Sequence, residues 1–188
     1  MWGCIFCACA YFTALFFGYA ASRTEHLTLS YLESVRMNES LRVSSLNSES
    51  PEVRRHEAVH IWSNNVRLLG IIVVGGGTLG VASILQLVFN AVKLGLLFGA
   101  NRDNLAFCAS AVVPHGVLEY AAFIACAGRA TESVFLLGNY LRGKSVNITR
   151  YFVNIGVTAA AAALVLVLAA YVEVYVTPGI VARLFHLS

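Results

Sequence analysis

The stretch WGCIFCACAYFTALFFGYAA, residues 2–21, runs for twenty residues without a charged side chain. An α-helix rises about 1.5 Å per residue, so roughly 20 apolar residues cross the ~30 Å hydrocarbon core of a bilayer. The stretch therefore predicts a first membrane span within residues 1–22. A secretory signal peptide is the alternative interpretation, but such a peptide begins with a basic region that this segment lacks.

The composition of the whole chain indicates that lipid surrounds most of it. Of its 188 residues, 58% are hydrophobic and 12% are charged, whereas a soluble domain is roughly a quarter charged. Six of the ten acidic and six of the thirteen basic residues fall within residues 23–67. Basic residues that flank membrane spans explain the net charge of +3, so we predict no nucleic-acid partner.

A polar segment over residues 23–63 follows the first span. Apolar residues at Leu27, Tyr31 and Val35 recur every four positions and predict an amphipathic helix. The sequence EVRRHEAVHIW, residues 52–62, predicts a second short helix that runs toward the membrane. We expect this small helical segment to lie outside the membrane core.

Residues 64–188 predict a membrane bundle with short loops. A Gly-rich span is predicted over residues 64–90, and its glycines offer a close helix–helix contact, for example in a homodimer, or else break the helix. The apolar stretch 91–100 is too short to span alone, so it is a re-entrant half-helix unless the preceding turn comes before Asn90. With a last span over residues 151–176, we predict an all-α polytopic membrane protein with about five membrane helices.

The stretch VVPHGVLEYAAFI, residues 112–124, places two ionisable groups in an apolar run. Pro114 removes one helical hydrogen bond, so we predict that the span is kinked or broken there, with Gly116 loosening it further. His115 and Glu119 are one turn apart and share a helix face. A charged carboxylate at mid-depth costs on the order of 3 kcal/mol, so both side chains are expected to face the bundle interior. They either pin the helix as a mutually satisfied pair or form a site for a proton, ion, lipid head group or partner side chain.

Two further polar groups lie within apolar runs. Glu173 either reaches the interface or joins His115 and Glu119, and Asn90 is expected to bond to a neighbouring helix. The five cysteines all lie in apolar runs, where they pack as small hydrophobic residues, and we predict neither a cofactor nor a metal site.

The orientation follows from the distribution of positive charge. Residues 128–150 carry one acid and four basic residues: Arg129, Arg142, Lys144 and Arg150. The positive-inside rule places this segment in the cytoplasm and residues 23–63 outside, in a multi-pass protein of the cell membrane.

The order of these elements resembles the stage II sporulation protein M family of integral membrane proteins. The resemblance rests on NNVR (64–67), the Gly-rich span, Asn90 with Gly95, PHGVLE (114–119) and EVYVTP (173–178). It marks Pro114, His115, Gly116, Glu119, Glu173, Thr177 and Pro178. Ala91 is a departure, because relatives tend to have glycine after the asparagine.

The resemblance implies about five membrane helices, a cytoplasmic N-terminus and a membrane role. The family's namesake acts in a membrane complex with peptidoglycan-degrading proteins, and nothing in this chain looks like such a hydrolase. We therefore expect a non-enzymatic membrane component that scaffolds or recruits an envelope-remodelling assembly, with envelope proteins as partners. A transporter or channel that uses the intramembrane His/Glu site is the alternative.

One motif points to a different class. HEAVH, residues 56–60, matches the H-E-x-x-H pattern in which two histidines bind zinc and the glutamate is a general base. Under this third hypothesis His56 and His60 bind the metal and Glu57 is the base of a membrane protease. Arg54 and Arg55 directly before the motif, and the absence of a third ligand nearby in the sequence, favour an amphipathic helix instead.

Overall fold

The computed structural model describes residues 2–22 and 49–185 of the chain. Within those ranges it contains helices and no strand. Its α-helices are α1 (Trp2–Ala21), α2 (Pro51–Val74), α3 (Val81–Ala100), α4 (Leu105–Ala130), α5 (Glu132–Leu141), α6 (Ile148–Tyr171) and α7 (Thr177–Phe185). The predicted amphipathic helix at Leu27, Tyr31 and Val35 lies outside the described residues.

Five stretches of the described chain are long and apolar enough to cross a bilayer. They are Gly3–Ala21, Pro51–Thr78, Val81–Ala100, Arg102–Leu141 and Ile148–Phe185. Large apolar side chains cover much of the outer surface of the bundle; Phe16, Val74 and Leu164, for example, are each at least 70% exposed. An exterior of this kind is stable in lipid, so the prediction of an all-α polytopic membrane protein is confirmed.

The Gly-rich segment is a turn between two helices, so the prediction of one span over residues 64–90 is wrong. α2 ends at Val74, a 3₁₀ turn follows over Gly75–Thr78, and α3 begins at Val81. Gly80 has φ +78, a left-handed conformation that glycine adopts without strain. The turn therefore comes before Asn90, and the stretch 91–100 is the second half of α3.

Helix α4 runs through Pro114 without interruption, so the predicted break is also wrong. Proline removes the single hydrogen bond to the carbonyl four residues earlier. Cys108, Ala111 and Val112 of α4 pack in one buried cluster with Val181 of α7. This packing just before the proline, together with the tolerance of membrane helices for a lost backbone bond, keeps the helix continuous.

Helix α2 also crosses the boundary predicted between the polar segment and the bundle. Ser50 caps its N-terminus by accepting a hydrogen bond from the Val53 amide, and Pro51 occupies its first position. Residues 51–63 are consequently the first half of a 24-residue helix that packs on α4 and α6.

The tightest packing of the bundle is between α1 and α3. Gly18 lies against the backbone of Val92, Gly95 against the backbone at Leu15, and Gly99 against Ser22. Small residues at a four-residue spacing let two helix backbones approach closely. Ala91, fully buried, occupies the same face of α3 as Gly95 and Gly99.

The helices place the connecting segments at two opposite ends of the bundle. At the N-terminal end, Gly3 packs against Gly128 and Gly80 against Thr131. At the C-terminal end, the Phe107 ring contacts the Phe185 ring at 5.2 Å between centroids. Residues 2 and 128–150 thus share one end, as the predicted orientation requires.

Candidate intramembrane site

A polar cleft enters the bundle between α2, α3, α4 and the turn after α6. Its volume is about 510 Å³. The lining side chains come from helices that are distant in sequence: Glu57, His60, Ile61, Asn64, Asn65, Leu94, Leu97, Val112, His115, Gly116, Glu119, Tyr120 and Glu173. Apolar walls therefore enclose a group of carboxylates, imidazoles and amides.

The inner part of the cleft holds a hydrogen bond between two helices. The Asn65 side-chain amide of α2 donates to Oε1 of Glu119 on α4. Asn65 is 8% exposed, and a buried amide that donates to a carboxylate both satisfies the acid and fixes its orientation. Asn65 thereby positions Glu119 about half-way along both helices.

His115 faces a carboxylate from a third part of the chain. Its Nε2 lies 3.9 Å from Oε2 of Glu173, and both side chains are nearly buried. Glu173 belongs to a π turn, Val172–Val176, which separates α6 from α7. Short π segments inside helices occur often at functional sites, and this one turns Glu173 into the bundle rather than toward the interface.

The cleft leads from the C-terminal end of the bundle to its middle. Glu57 and His60 lie within the first three turns of α2, and Glu173 follows the last turn of α6. Glu119 and Asn65 lie deeper, near the middle of their helices. Polar groups consequently form a path from the C-terminal end of the bundle to roughly half its depth.

The charge of the cleft favours a cation. It presents three carboxylates, Glu57, Glu119 and Glu173, and two imidazoles, His60 and His115. Arginine and lysine are absent from the lining residues. In residues 2–22 and 49–185 no three His, Cys, Asp or Glu side chains are grouped so that they could hold a metal ion.

Comparison with known proteins identifies the family. Residues 4–178 match the family described as Stage II sporulation protein M. The chain belongs to this family. It is also similar to an uncharacterized protein of Methanocaldococcus jannaschii, with 26% identity over 125 residues, which cover 64% of this chain and 70% of the relative. No solved structure matches the chain.

The residues marked by the stage II sporulation protein M resemblance divide into two groups. His115, Gly116, Glu119 and Glu173 line the cleft. Thr177 and Pro178 are buried at the start of α7, where the helix resumes after the π turn. Pro114 and Asn90 lie on α4 and α3 without lining the cleft, and Asn90 is one turn from the lining residue Leu94.

The residues of the H-E-x-x-H motif also differ in whether they line the cleft. Glu57 and His60 line the cleft and His56 does not, although both histidines are exposed. Both histidines of a zinc site of this type must reach one metal ion. The described part of the chain therefore gives the protease hypothesis no support, and Glu57 and His60 instead extend the polar path toward its mouth.

The sequence did not predict Asn65 as a cleft residue, since NNVR pointed only to the family. The signal was its spacing from Glu57 and Ile61, which puts all three on one face of a helix. The shared face becomes evident only when α2 is known to begin at Pro51 and not at residue 64.

Proposed function

We propose that the protein binds a proton or small cation in the cleft and moves it across the membrane as a transporter or channel. The observation that carries the proposal is a polar path from the C-terminal end of the bundle to Glu119 and His115. Ionisable residues inside a membrane bundle commonly mark an ion pathway. Binding near the bilayer midplane beside irregular helix segments is typical of transporters.

The residues have separate roles in this proposal. Glu57 and Glu173 attract the cation at the mouth, and Glu119 is its inner binding group. Asn65 holds the Glu119 carboxylate in place while the charge on that group changes. His115, next to Glu173, is the group that accepts and releases the proton.

Flux in liposomes tests the proposal. We expect Glu119→Gln to reduce proton or monovalent-cation flux at least ten-fold, because the neutral amide keeps the shape but loses the charge that holds the ion. The matched control is Glu52→Gln, since Glu52 is exposed in the first turn of α2 and does not line the cleft. Flux is measured with pH- and cation-sensitive dyes, alongside the thermal unfolding of each variant in detergent.

Two outcomes would contradict transport. One is wild-type protein that passes no proton, Na⁺ or K⁺ above empty liposomes. The other is equal flux in Glu119→Gln and Glu52→Gln.

The second candidate is a membrane scaffold that recruits an envelope-remodelling assembly. Membership of the stage II sporulation protein M family supports it, through the role of the family's namesake. A scaffold requires the polar group only as a structural tie, so under this candidate Glu119→Gln lowers the unfolding temperature and no flux is observed in any variant. Self-association stays a prediction, and of the glycines that suggested it, Gly75, Gly76 and Gly80 pack within the chain.

The orientation gives a further prediction. If the N-terminal end faces the cytoplasm, the cleft opens outward. We expect a membrane-impermeant maleimide to label Asp103→Cys in intact cells, and Ser145→Cys only after the cells are broken. Both positions are exposed, at opposite ends of the bundle, and the unmodified chain controls for its native cysteines. The reverse labelling pattern would mean that the cleft opens to the cytoplasm.

A further inference from the structure

The outer face of α2 carries a charge where lipid is expected. Arg67 is exposed and is not among the residues that line the cleft. Within residues 2–22 and 49–185 it takes part in no hydrogen bond, ion pair or ring contact. An arginine stays charged at any physiological pH, so it needs a counter-charge or water.

The packing of α2 on α6 fixes the depth of Arg67. At one end of this antiparallel pair, Arg54 lies 5.7 Å from the centre of the Tyr175 ring. At the other end, Gly76 lies against the Tyr151 hydroxyl. The two tyrosines are about 36 Å apart along the helix axis, enough to cross the hydrocarbon core. Arg67 is about 20 Å from Arg54 and about 14 Å from Gly76, near mid-depth.

A second exposed basic residue within the membrane spans, Lys93, differs from Arg67 because it contacts an aromatic ring. Lys93 lies over the Phe89 ring at 4.5 Å. Arg67 therefore stands apart as a mid-depth charge with no partner in the described chain.

The residues around Arg67 suit a second helix. Ser63, Arg67, Gly70 and Val74 follow each other at spacings of four, three and four and are all exposed. This spacing gives the contact stripe of a helix pair. A side chain added at Gly70 would meet nothing within 4 Å, so another backbone has room to approach closely.

Within residues 49–185, a copy of this chain offers no acidic residue that could meet Arg67 at mid-depth. Among the described acids, Glu57, Glu119 and Glu173 face the cleft. The remaining acids, Glu49, Glu52, Asp103 and Glu132, lie at the ends of the bundle. A symmetric α2–α2 contact would also bring two Arg67 side chains together, and like charges repel.

We propose that this stripe binds a transmembrane helix of a different protein, which presents an aspartate or glutamate at mid-depth to Arg67. The interaction goes beyond the proposed function, because Arg67 is separate from the cleft and the pairing does not depend on what the cleft carries. Charge complementarity selects the partner, and Ser63 and Gly70 allow its helix to pack closely.

Photocrosslinking in native membranes tests the pairing. A photoreactive amino acid is placed at Ser63 or Val74 of the full chain, and at Phe16 of α1, which is 70% exposed, as the control. We expect adducts from the α2 positions, and not from Phe16, with a membrane helix that contains an acidic residue. Arg67→Gln should lower the adduct yield about ten-fold or more, while Lys93→Gln leaves the yield unchanged.

Exchanging the charges of Arg67 and of the partner's acidic residue tests the pairing directly. Arg67→Glu should abolish the adduct, and replacing the partner's acidic residue by arginine should restore it. Adducts only with lipid, only with a second copy of this chain, or with a helix that has no acidic residue would overturn the proposal. An adduct yield that is the same in Arg67→Gln and wild type would overturn it as well.

Discussion

Replacing Gly95 by alanine is expected to destabilise the folded bundle by about 3 kcal/mol or more, the upper range for overpacking a core. A Cβ at this position would overlap the Leu15 carbonyl oxygen and lie 2.8 Å from the Tyr19 amide nitrogen. Both are backbone atoms of α1, so no side chain can rotate away and the two helices must separate. Thermal unfolding and size-exclusion chromatography in detergent measure the loss.

Gly156→Ala is the matched control for this prediction. Gly156 lies on α6, and an added Cβ would meet nothing within 4 Å. Alanine is the better helix former by up to about 1 kcal/mol, so we expect its unfolding temperature to stay the same or rise slightly. Equal destabilisation by the two substitutions would show that α1 does not pack on α3 in this way.

Asn65→Asp is expected to have the second largest effect on folding. The substitution keeps the size of the side chain but turns the donor to Glu119 into a second carboxylate. Two like charges about 4 Å apart repel by about 4 kcal/mol at an effective dielectric constant near 20.

Asn65→Leu removes the donor without adding a charge and should cost only about 1–3 kcal/mol, the penalty for a buried polar group left unsatisfied.

A double substitution isolates the interaction between the two side chains. Asn65→Asp combined with Glu119→Gln exchanges donor and acceptor, so we expect it to recover most of the stability that Asn65→Asp loses. Unfolding temperatures of the wild type, both single variants and the double variant complete the cycle. Strictly additive effects would mean that the two residues do not interact.

The membrane nature of the protein and two residues of its polar core, His115 and Glu119, could be predicted from the sequence. Span length and low charge are local properties, and the cost of burying His115 or Glu119 in lipid already requires them to face inward. Glu173 lies close enough to the end of its span to reach the interface, so its direction stayed open. The helix boundaries were harder to predict from the sequence. Glycines at 75–80 suit either a helix contact or a turn, and the choice depends on Ser83, whose hydroxyl donates to the Ile72 carbonyl across the turn.

The effect of Pro114 on its helix and the directions of the two motif histidines could not be predicted for a related reason. Pro114 weakens a helix by one hydrogen bond, but whether the helix breaks depends on what packs beside it, and here Val181 of α7 does so. Likewise, the spacing of HEAVH places two histidines near one another without showing which of them faces the cleft. His60 does and His56 does not.

By itself the sequence determined that this chain is an all-α membrane protein with ionisable groups inside its bundle, because apolar length and the cost of burying charge act within one helix. Only the tertiary structure decided that Asn65 meets Glu119, that Glu173 meets His115 and that Arg67 faces outward. Those pairings depend on how far each helix slides and rotates against its neighbours. Close contacts such as Gly95 with α1 set that register, and they join residues too far apart in sequence for any local pattern to reveal.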